Sequence, residues 1–105
     1  MTSSELLSAL RKGRRTYGSL IVSTSPRWPA SVAHIGLDFV FIDTEHIAID
    51  RAQLSRMCQT YAALGLAPIV RISSPDPYTA WMVVLPAWSL LMWKRWSRYA
   101  PWSAR

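Results

Sequence analysis

The feature that most constrains this chain is an apolar run that ends in titratable residues, within Asp38–His46. The segment Phe39–Ile42 is wholly apolar, and Asp43, Glu45 and His46 follow it directly or within a few residues. A continuous apolar run of this kind is typical of a strand buried on both faces, as in a parallel sheet. Titratable groups at the end of such a strand are what an α/β active site needs. The run therefore predicts a site at the carboxyl end of a parallel strand.

Apolar runs alternate with amphipathic segments along the first 80 residues. The strands predicted from this pattern are residues 17–23, 38–43 and 67–72. The predicted helices are one capped by Ser3 or Ser4 and ending near Gly13, one over residues 30–35, and one capped by Asp50 and closed by Gly65. Such alternation favours parallel strands joined by right-handed crossovers, with the polar residues gathered at one edge of the sheet.

That polar edge is where a (β/α)8 TIM barrel carries its chemistry, but a whole barrel needs roughly 250 residues. This chain has 105 residues. The predicted fold class is therefore α/β, with about three parallel strands and their helices forming the N-terminal fragment of a barrel.

The composition constrains the compartment and the partners. Cys58 is the one cysteine, which excludes an internal disulfide and suits a reducing compartment such as the cytoplasm. Its place on an apolar helix face marks it as a core residue. Residues 1–80 hold eight Lys or Arg against six acids, whereas residues 81–105 hold four bases and no acid. The net charge of +6 thus gives little reason to expect a nucleic-acid or membrane partner for the first part.

Residues 81–105 differ from the rest, because they contain five of the six Trp and no Gly. One interpretation is a basic, Trp-rich segment that binds membrane surfaces or nucleic acid without catalysis. The other is a tail read out of frame. If each codon starts at the third base of the present one, every Trp codon, TGG, becomes a codon ending in TG, for Leu, Val or Met, followed by one beginning with G, for Val, Ala, Asp, Glu or Gly. With permissible codons, residues 80–105 become LDGGAAGVVAPYVETVEQVRALVGA, which predicts a further strand and helix.

The residues after the strands suggest proton transfer and anion binding. A carboxylate beside an imidazole fixes its tautomer, so Asp43 and His46 suit acid–base chemistry, or they are a capping Asp and an exposed His. Arg71 ends the third strand and suits either a bidentate grip on a carboxylate or a salt bridge at the rim. Glu45 is interpreted first as a helix-start acid and second as a base. His34 is interpreted as a packing residue within a helix.

Three blocks in this order and spacing resemble the HpcH/HpaI aldolase family, the metal-dependent 2-oxo-acid aldolases related to 2,4-dihydroxyhept-2-ene-1,7-dioate aldolase. They are GLDF running into IDTEH at residues 36–46, PIVR at 68–71 and SPDP at 74–77, and the similarity covers residues 5–80. The resemblance implies a TIM barrel that assembles as a homohexamer. It also implies a carbon–carbon lyase that cleaves 4-hydroxy-2-oxo acids to pyruvate, or a similar 2-oxo acid, plus an aldehyde.

By the same resemblance, His46 is the acid–base group, Asp43 orients it, and Arg71 binds the carboxylate and enolate oxygen of the 2-oxo acid. A divalent ion, Mg²⁺ or Mn²⁺, would stabilise the enolate. The family's metal ligands, a Glu and an Asp, come from later strands, and this chain has no acid after Asp76. No residue is therefore assigned to the metal. Residues 1–80 are expected to be an incomplete aldolase that is inactive alone, with small-molecule rather than nucleic-acid or membrane partners.

Overall fold

The fold is a parallel sheet flanked by helices, seen in a computed structural model that describes residues 1–72 and the backbone of 90–91. The elements in chain order are α1 Ser3–Arg11, β1 Gly18–Ile21, α2 Arg27–Ala33, β2 Phe39–Asp43, α3 Arg51–Ala63, β3 Ala67–Arg71 and β4 Leu90–Leu91. The strand order is β1-β2-β3-β4, and each neighbouring pair is parallel. The predicted parallel β-α-β-α-β unit is confirmed.

One face of the sheet packs against α2 and α3. Alternate strand residues point to this side, because successive side chains of a strand project from opposite faces. The main core consists of Ile21, Val32, Val40, Ile42, Leu54, Met57, Cys58, Tyr61, Leu66 and Val70. Full burial of an aliphatic side chain of this kind stabilises a fold by about 1.5–3 kcal/mol. Cys58 is completely buried, as predicted.

The other face of the sheet carries the remaining strand residues. Leu6 from α1 packs there with Ala67 and Ile69, and the rings of Phe39 and Phe41 lie beside them, partly buried. Since Phe41 and Asp43 are two positions apart on β2, they project from the same face. The polar residues at the strand ends therefore lie on the face opposite the α2–α3 layer.

The helix ends differ in detail from the prediction. Thr2, rather than Ser3 or Ser4, caps α1 and forms a reciprocal capping box with Glu5. The backbone hydrogen bond from Thr2 holds the pKa of the Glu5 carboxyl below its usual value. Helix α2 begins at Arg27, ahead of the predicted residue 30, because a proline within the first helical turn needs no backbone N–H.

His34 corrects a second prediction. It is the exposed C-cap of α2 rather than a packed residue within the helix. The chain leaves the helix there because Gly36 adopts φ +85°, which is left-handed backbone that favours glycine. Helix α3 follows the prediction: Asp50 caps it in a reciprocal box with Gln53.

The tail predictions fall almost wholly outside the described residues. Within the described residues, Leu90–Leu91 pairs in parallel with Ile69 and Val70 and extends the sheet past the three predicted strands. The predicted exposure of the tail Trp side chains concerns residues that the structure does not describe. Among the described helices, none has the length and apolar character needed to cross a bilayer.

Candidate active site

The register of the sheet brings two predicted site residues side by side. Asp43 at the end of β2 is the Cα partner of Arg71 at the end of β3. Partnered residues on adjacent parallel strands project from the same face, so both side chains lie above Phe41 and Ile69 at the carboxyl edge. The predicted common edge for Asp43, His46 and Arg71 is confirmed.

Asp43 is the buried centre of the site, with 6% of its surface exposed. Its Oδ1 accepts hydrogen bonds from the backbone N–H groups of Glu45, at 2.9 Å, and His46, at 3.3 Å. Its Oδ2 lies 2.8 Å from Nδ1 of His46 and 3.3 Å from Nη1 of Arg71. Burial raises the pKa of the Asp43 carboxyl, but hydrogen bonds from the His46 ring and the two backbone amides outweigh it, so the pKa lies below its usual value. Asp43 is therefore an anion at neutral pH.

The orientation of His46 follows from that charge. A carboxylate has only acceptor oxygens, so the 2.8 Å contact requires the proton on Nδ1 of His46. Neutral His46 then holds its lone pair on Nε2, the nitrogen that faces away from Asp43. Some 64% of the His46 side chain is exposed, against 9% for Asp43. The arrangement thus holds a fixed proton acceptor at the open side of the site.

Arg71 connects the site to a second carboxylate. Its Nε lies 3.4 Å from Oε2 of Glu45, while Nη1 donates to Asp43. Its guanidinium carbon lies 6.0 Å from the centre of the Phe41 ring, at the limit of a cation–π contact. With the residues that the structure describes, Nη2 forms no hydrogen bond. Arg71 is therefore oriented by the protein and still has N–H groups to offer an anion.

Thr44 ties the loop after β2 to the end of β3, a contact that sequence reasoning missed. Both its backbone N–H and its hydroxyl donate to the carbonyl oxygen of Arg71. These bonds hold the segment between Asp43 and His46 against β3. A Thr directly after a strand gives no periodic signal, so only the parallel pairing reveals its partner.

Glu45 corrects one prediction. It lies in the turn after β2, six residues before α3 begins at Arg51, and therefore is not a helix-start acid. It pairs with Arg71 instead. The capping pattern at Asp50 already marks the true helix start in the sequence. The alternative role of Glu45 as a base stays a prediction.

The described residues do not fit a divalent ion well. Asp43, Glu45 and His46 place one potential ligand atom each within 4.8 Å of one another. Both carboxylates, however, are paired with the guanidinium of Arg71, and Nδ1 of His46 is bound to Asp43. An ion at this position would have to displace a cation that already neutralises its ligands. No step through a metal is derived from these residues.

Comparison with known proteins identifies the kind of protein this part of the chain resembles. No protein-family model matches. A curated relative, 2-dehydro-3,6-dideoxy-6-sulfogluconate aldolase of Pseudomonas putida, is 28% identical over 68 residues, which is 65% of this chain and 27% of that protein. The chain thus spans about a quarter of the length of this relative.

Solved structures agree with that relationship. Citrate synthase SbnG is 35% identical, with a TM-score of 0.59 over 65% of this chain and 28% of its own. An HpcH/HpaI aldolase/citrate lyase family protein from Burkholderia cenocepacia J2315 is 25% identical, with a TM-score of 0.68 over 78% of this chain and 33% of its own. The resemblance to the HpcH/HpaI aldolase family is confirmed for the part of the chain that these proteins cover. The fold matches the corresponding part of these longer chains.

Proposed function

We propose that this chain carries the proton-transfer and carboxylate-binding part of a class II aldolase that cleaves 4-hydroxy-2-oxo acids. One observation supports this most: Asp43, His46 and Arg71 meet at the carboxyl edge of a parallel sheet. The names of the relatives, an aldolase and a citrate synthase, both denote enzymes that make or break carbon–carbon bonds in carboxylic acids.

His46 moves the proton in this proposal. Cleavage of a 4-hydroxy-2-oxo acid requires removal of the proton of the C4 hydroxyl, followed by protonation of the enolate carbon that remains. Nε2 of His46 has the free lone pair and faces solvent, so it accepts the first proton. Asp43 keeps the ring in that tautomer and stabilises the imidazolium that forms, because its carboxylate is ionised and lies 2.8 Å away.

Arg71 holds the substrate. Its remaining N–H groups suit the two oxygens of the carboxylate of a 2-oxo acid, which favours a charge-assisted, paired contact. Asp43 and Glu45 orient the guanidinium, at 3.3 Å and 3.4 Å respectively. The apolar ring of Phe41 lies on one side of the guanidinium, with its centre 6.0 Å from the guanidinium carbon. With the guanidinium held in this way, we expect the substrate carboxylate to lie beside His46.

The described residues form only part of such a site. The resemblance implies a divalent ion that stabilises the enolate, and these residues do not supply an unpaired ligand set for it. The isolated chain is therefore expected to be inactive. Substrate, metal and assembly into a homohexamer are proposals for a protein of the relatives' full length.

The test is pyruvate release from a 4-hydroxy-2-oxo acid with added Mn²⁺ or Mg²⁺. We expect no turnover by the 105-residue chain and turnover by a chain restored to the shifted frame and extended to the length of its relatives. In the restored chain, His46→Ala should slow turnover by about 10²–10⁴-fold, the usual contribution of a general base. Arg71→Ala should also raise KM by about tenfold, as for a lost charge-assisted hydrogen bond.

His34→Ala is the matched control, because this histidine is exposed and lies at the end of α2. It should leave turnover unchanged. A folded restored chain without turnover, or equal effects of the two histidine changes, would contradict the proposed function. Turnover by the 105-residue chain above the metal-only blank would contradict the incompleteness of the site.

A further inference from the structure

A cavity of about 300 Å³ lies beside the loop that follows β1, and we refer to it as the α2–α3 cavity. It is lined by Ser23 and Ser25 from that loop, Pro29 from α2, and Gln53, Arg56 and Tyr61 from α3, among others. Two of its lining residues, Met57 and Tyr61, also belong to the main core between the sheet and helices α2 and α3. The candidate active site lies on the opposite face of the sheet. The two sites are therefore separate, and all residues lining the cavity lie within the described part of the chain.

Three polar side chains that line the cavity each keep a hydrogen-bond donor, whereas the Thr60 hydroxyl donates its proton to the carbonyl oxygen of Arg56. Ser23 Oγ accepts from the backbone N–H of Ser25 at 3.1 Å, and Ser25 Oγ accepts from that of Arg27 at 3.4 Å. Each hydroxyl therefore retains its own proton for another acceptor. Gln53 uses its carbonyl oxygen to accept from the N–H of Asp50 at 3.0 Å, which leaves its NH₂ group as a donor.

Two further residues line the cavity: Arg56, which carries a positive charge, and Tyr61, whose hydroxyl lacks a hydrogen-bond partner in the part of the chain that the structure describes. Arg56 forms no ion pair with any acid of residues 1–72, and no acidic side chain lines the cavity. The hydroxyl of Tyr61 is buried and has no hydrogen-bond partner among the described residues. Buried polar groups normally have a partner, in the protein or in a bound molecule. Burial also raises the pKa of Tyr61, which keeps the phenol protonated.

We propose that the α2–α3 cavity binds a small organic oxyanion, a carboxylate or a phosphate monoester with a compact apolar body. The donors and the unpaired Arg56 recognise the anionic end, since hydrogen bonds from a cation to an oxyanion are among the strongest. The side chains of Pro29 and Met57, which are both buried, offer an apolar surface to the body of the ligand. This site is independent of the aldolase proposal, because it shares no residue with Asp43, His46 or Arg71.

The experiment is titration of the ¹⁵N-labelled 105-residue chain with benzoate and, separately, with phenyl phosphate. Benzyl alcohol serves as the neutral probe of similar shape. We expect saturable shifts in the backbone amides of residues 23–25 and 56–61 with at least one of the two anions, and none with benzyl alcohol. The anion that binds with the higher affinity shows whether the cavity prefers a carboxylate or a phosphate.

Arg56→Gln should weaken binding of that anion by about tenfold, because the positive charge is lost while a good helix former remains. Arg51→Gln is the matched control, since it makes the same change on the same helix at a residue that is exposed like Arg56 but does not line the cavity. Tyr61→Phe, which keeps the ring, should weaken binding severalfold. The proposal would be overturned if the amide shifts did not saturate with either anion, or if benzyl alcohol caused shifts of the same size. It would also be overturned if Arg51→Gln weakened binding as much as Arg56→Gln. Shifts confined to the amides of residues 43–46 would overturn it as well.

Discussion

Oδ2 of Asp43 lies 2.8 Å from Nδ1 of His46, and this contact determines which ring nitrogen can take a proton. The carboxylate is buried at the end of β2, whereas most of the imidazole is exposed. Because the buried Asp43 carboxylate holds Nδ1 of His46, the other ring nitrogen, Nε2, is directed to the open side of the site. In the proposed function, this outward nitrogen, Nε2 of His46, is the base.

The tautomer of His46 can be measured directly. We expect neutral His46 to carry its proton on Nδ1 and to lose most of this preference in Asp43→Asn, because the anionic acceptor is gone. The ¹⁵N shifts of the ring nitrogens report the tautomer, and exposed His34 in the same spectrum is the internal reference. A His46 ring protonated on Nε2 in the unsubstituted chain would contradict the orientation described above.

The lowered pKa of Asp43 predicts how stability depends on pH. A carboxyl whose pKa is lower in the folded state stabilises the fold above its unfolded value, about 3.9, and this contribution disappears as the pH falls through the folded-state value. Asp43→Asn should lower the free energy of unfolding by about 1–3 kcal/mol at neutral pH. Urea unfolding from pH 7 downward should show the difference narrowing below about pH 4. If the difference in unfolding free energy between the unsubstituted chain and Asp43→Asn stayed the same at the lowest pH measured, the prediction would be wrong.

Gly18 on β1 leaves room for the side chain of Phe39, its partner on β2. A Cβ at this position would overlap the ring of Phe39 on β2. Gly18→Ala should therefore destabilise the chain by about 1–3 kcal/mol, the usual cost of overpacking. Ser19→Ala, at the next position of the same strand, is the control and should change stability by less than about 1 kcal/mol. Equal midpoints of urea unfolding for the two variants would show that Phe39 can move at little cost.

Much of the site follows from the sequence because it depends on periodicity. Asp43 and His46 are close in the chain. Arg71 lies beside them because its strand pairs in parallel with the strand that ends at Asp43, and the alternating apolar runs predict that pairing. The pairing of Arg71 with Glu45 and the bonds from Thr44 depend on loop backbone and side-chain rotamers. Neither leaves a periodic pattern in the sequence.

The errors at helix ends have a related cause. Helix α2 starts at Arg27 and leaves His34 exposed, since the left-handed Gly36 turns the chain shortly after the last helical residue. Hydrophobic periodicity identifies a helix more reliably than its ends, which depend on caps and glycine conformations.

The out-of-frame interpretation of residues 81–105 predicts a gain in stability. A chain in which residues 80–105 are replaced by LDGGAAGVVAPYVETVEQVRALVGA should unfold at higher urea concentration and with a larger m value, because the new segment adds a buried strand and a helix. A tail with the same composition in scrambled order is the matched control. Lower or equal stability for the shifted tail would favour the basic, Trp-rich segment as a real part of the protein.

The central claim is that residues 1–72 form a working part of an aldolase site. The most direct measurement replaces the matching segment of the Pseudomonas putida 2-dehydro-3,6-dideoxy-6-sulfogluconate aldolase with residues 1–72 and assays cleavage of that named substrate. We expect the chimera to retain turnover within about tenfold to hundredfold of the parent. His46→Ala in the chimera should then reduce it by a further 10²-fold or more, roughly the contribution of a general base, while His34→Ala should not. A folded chimera without turnover, or one in which His46→Ala is as active as the unsubstituted chimera, would contradict the claim.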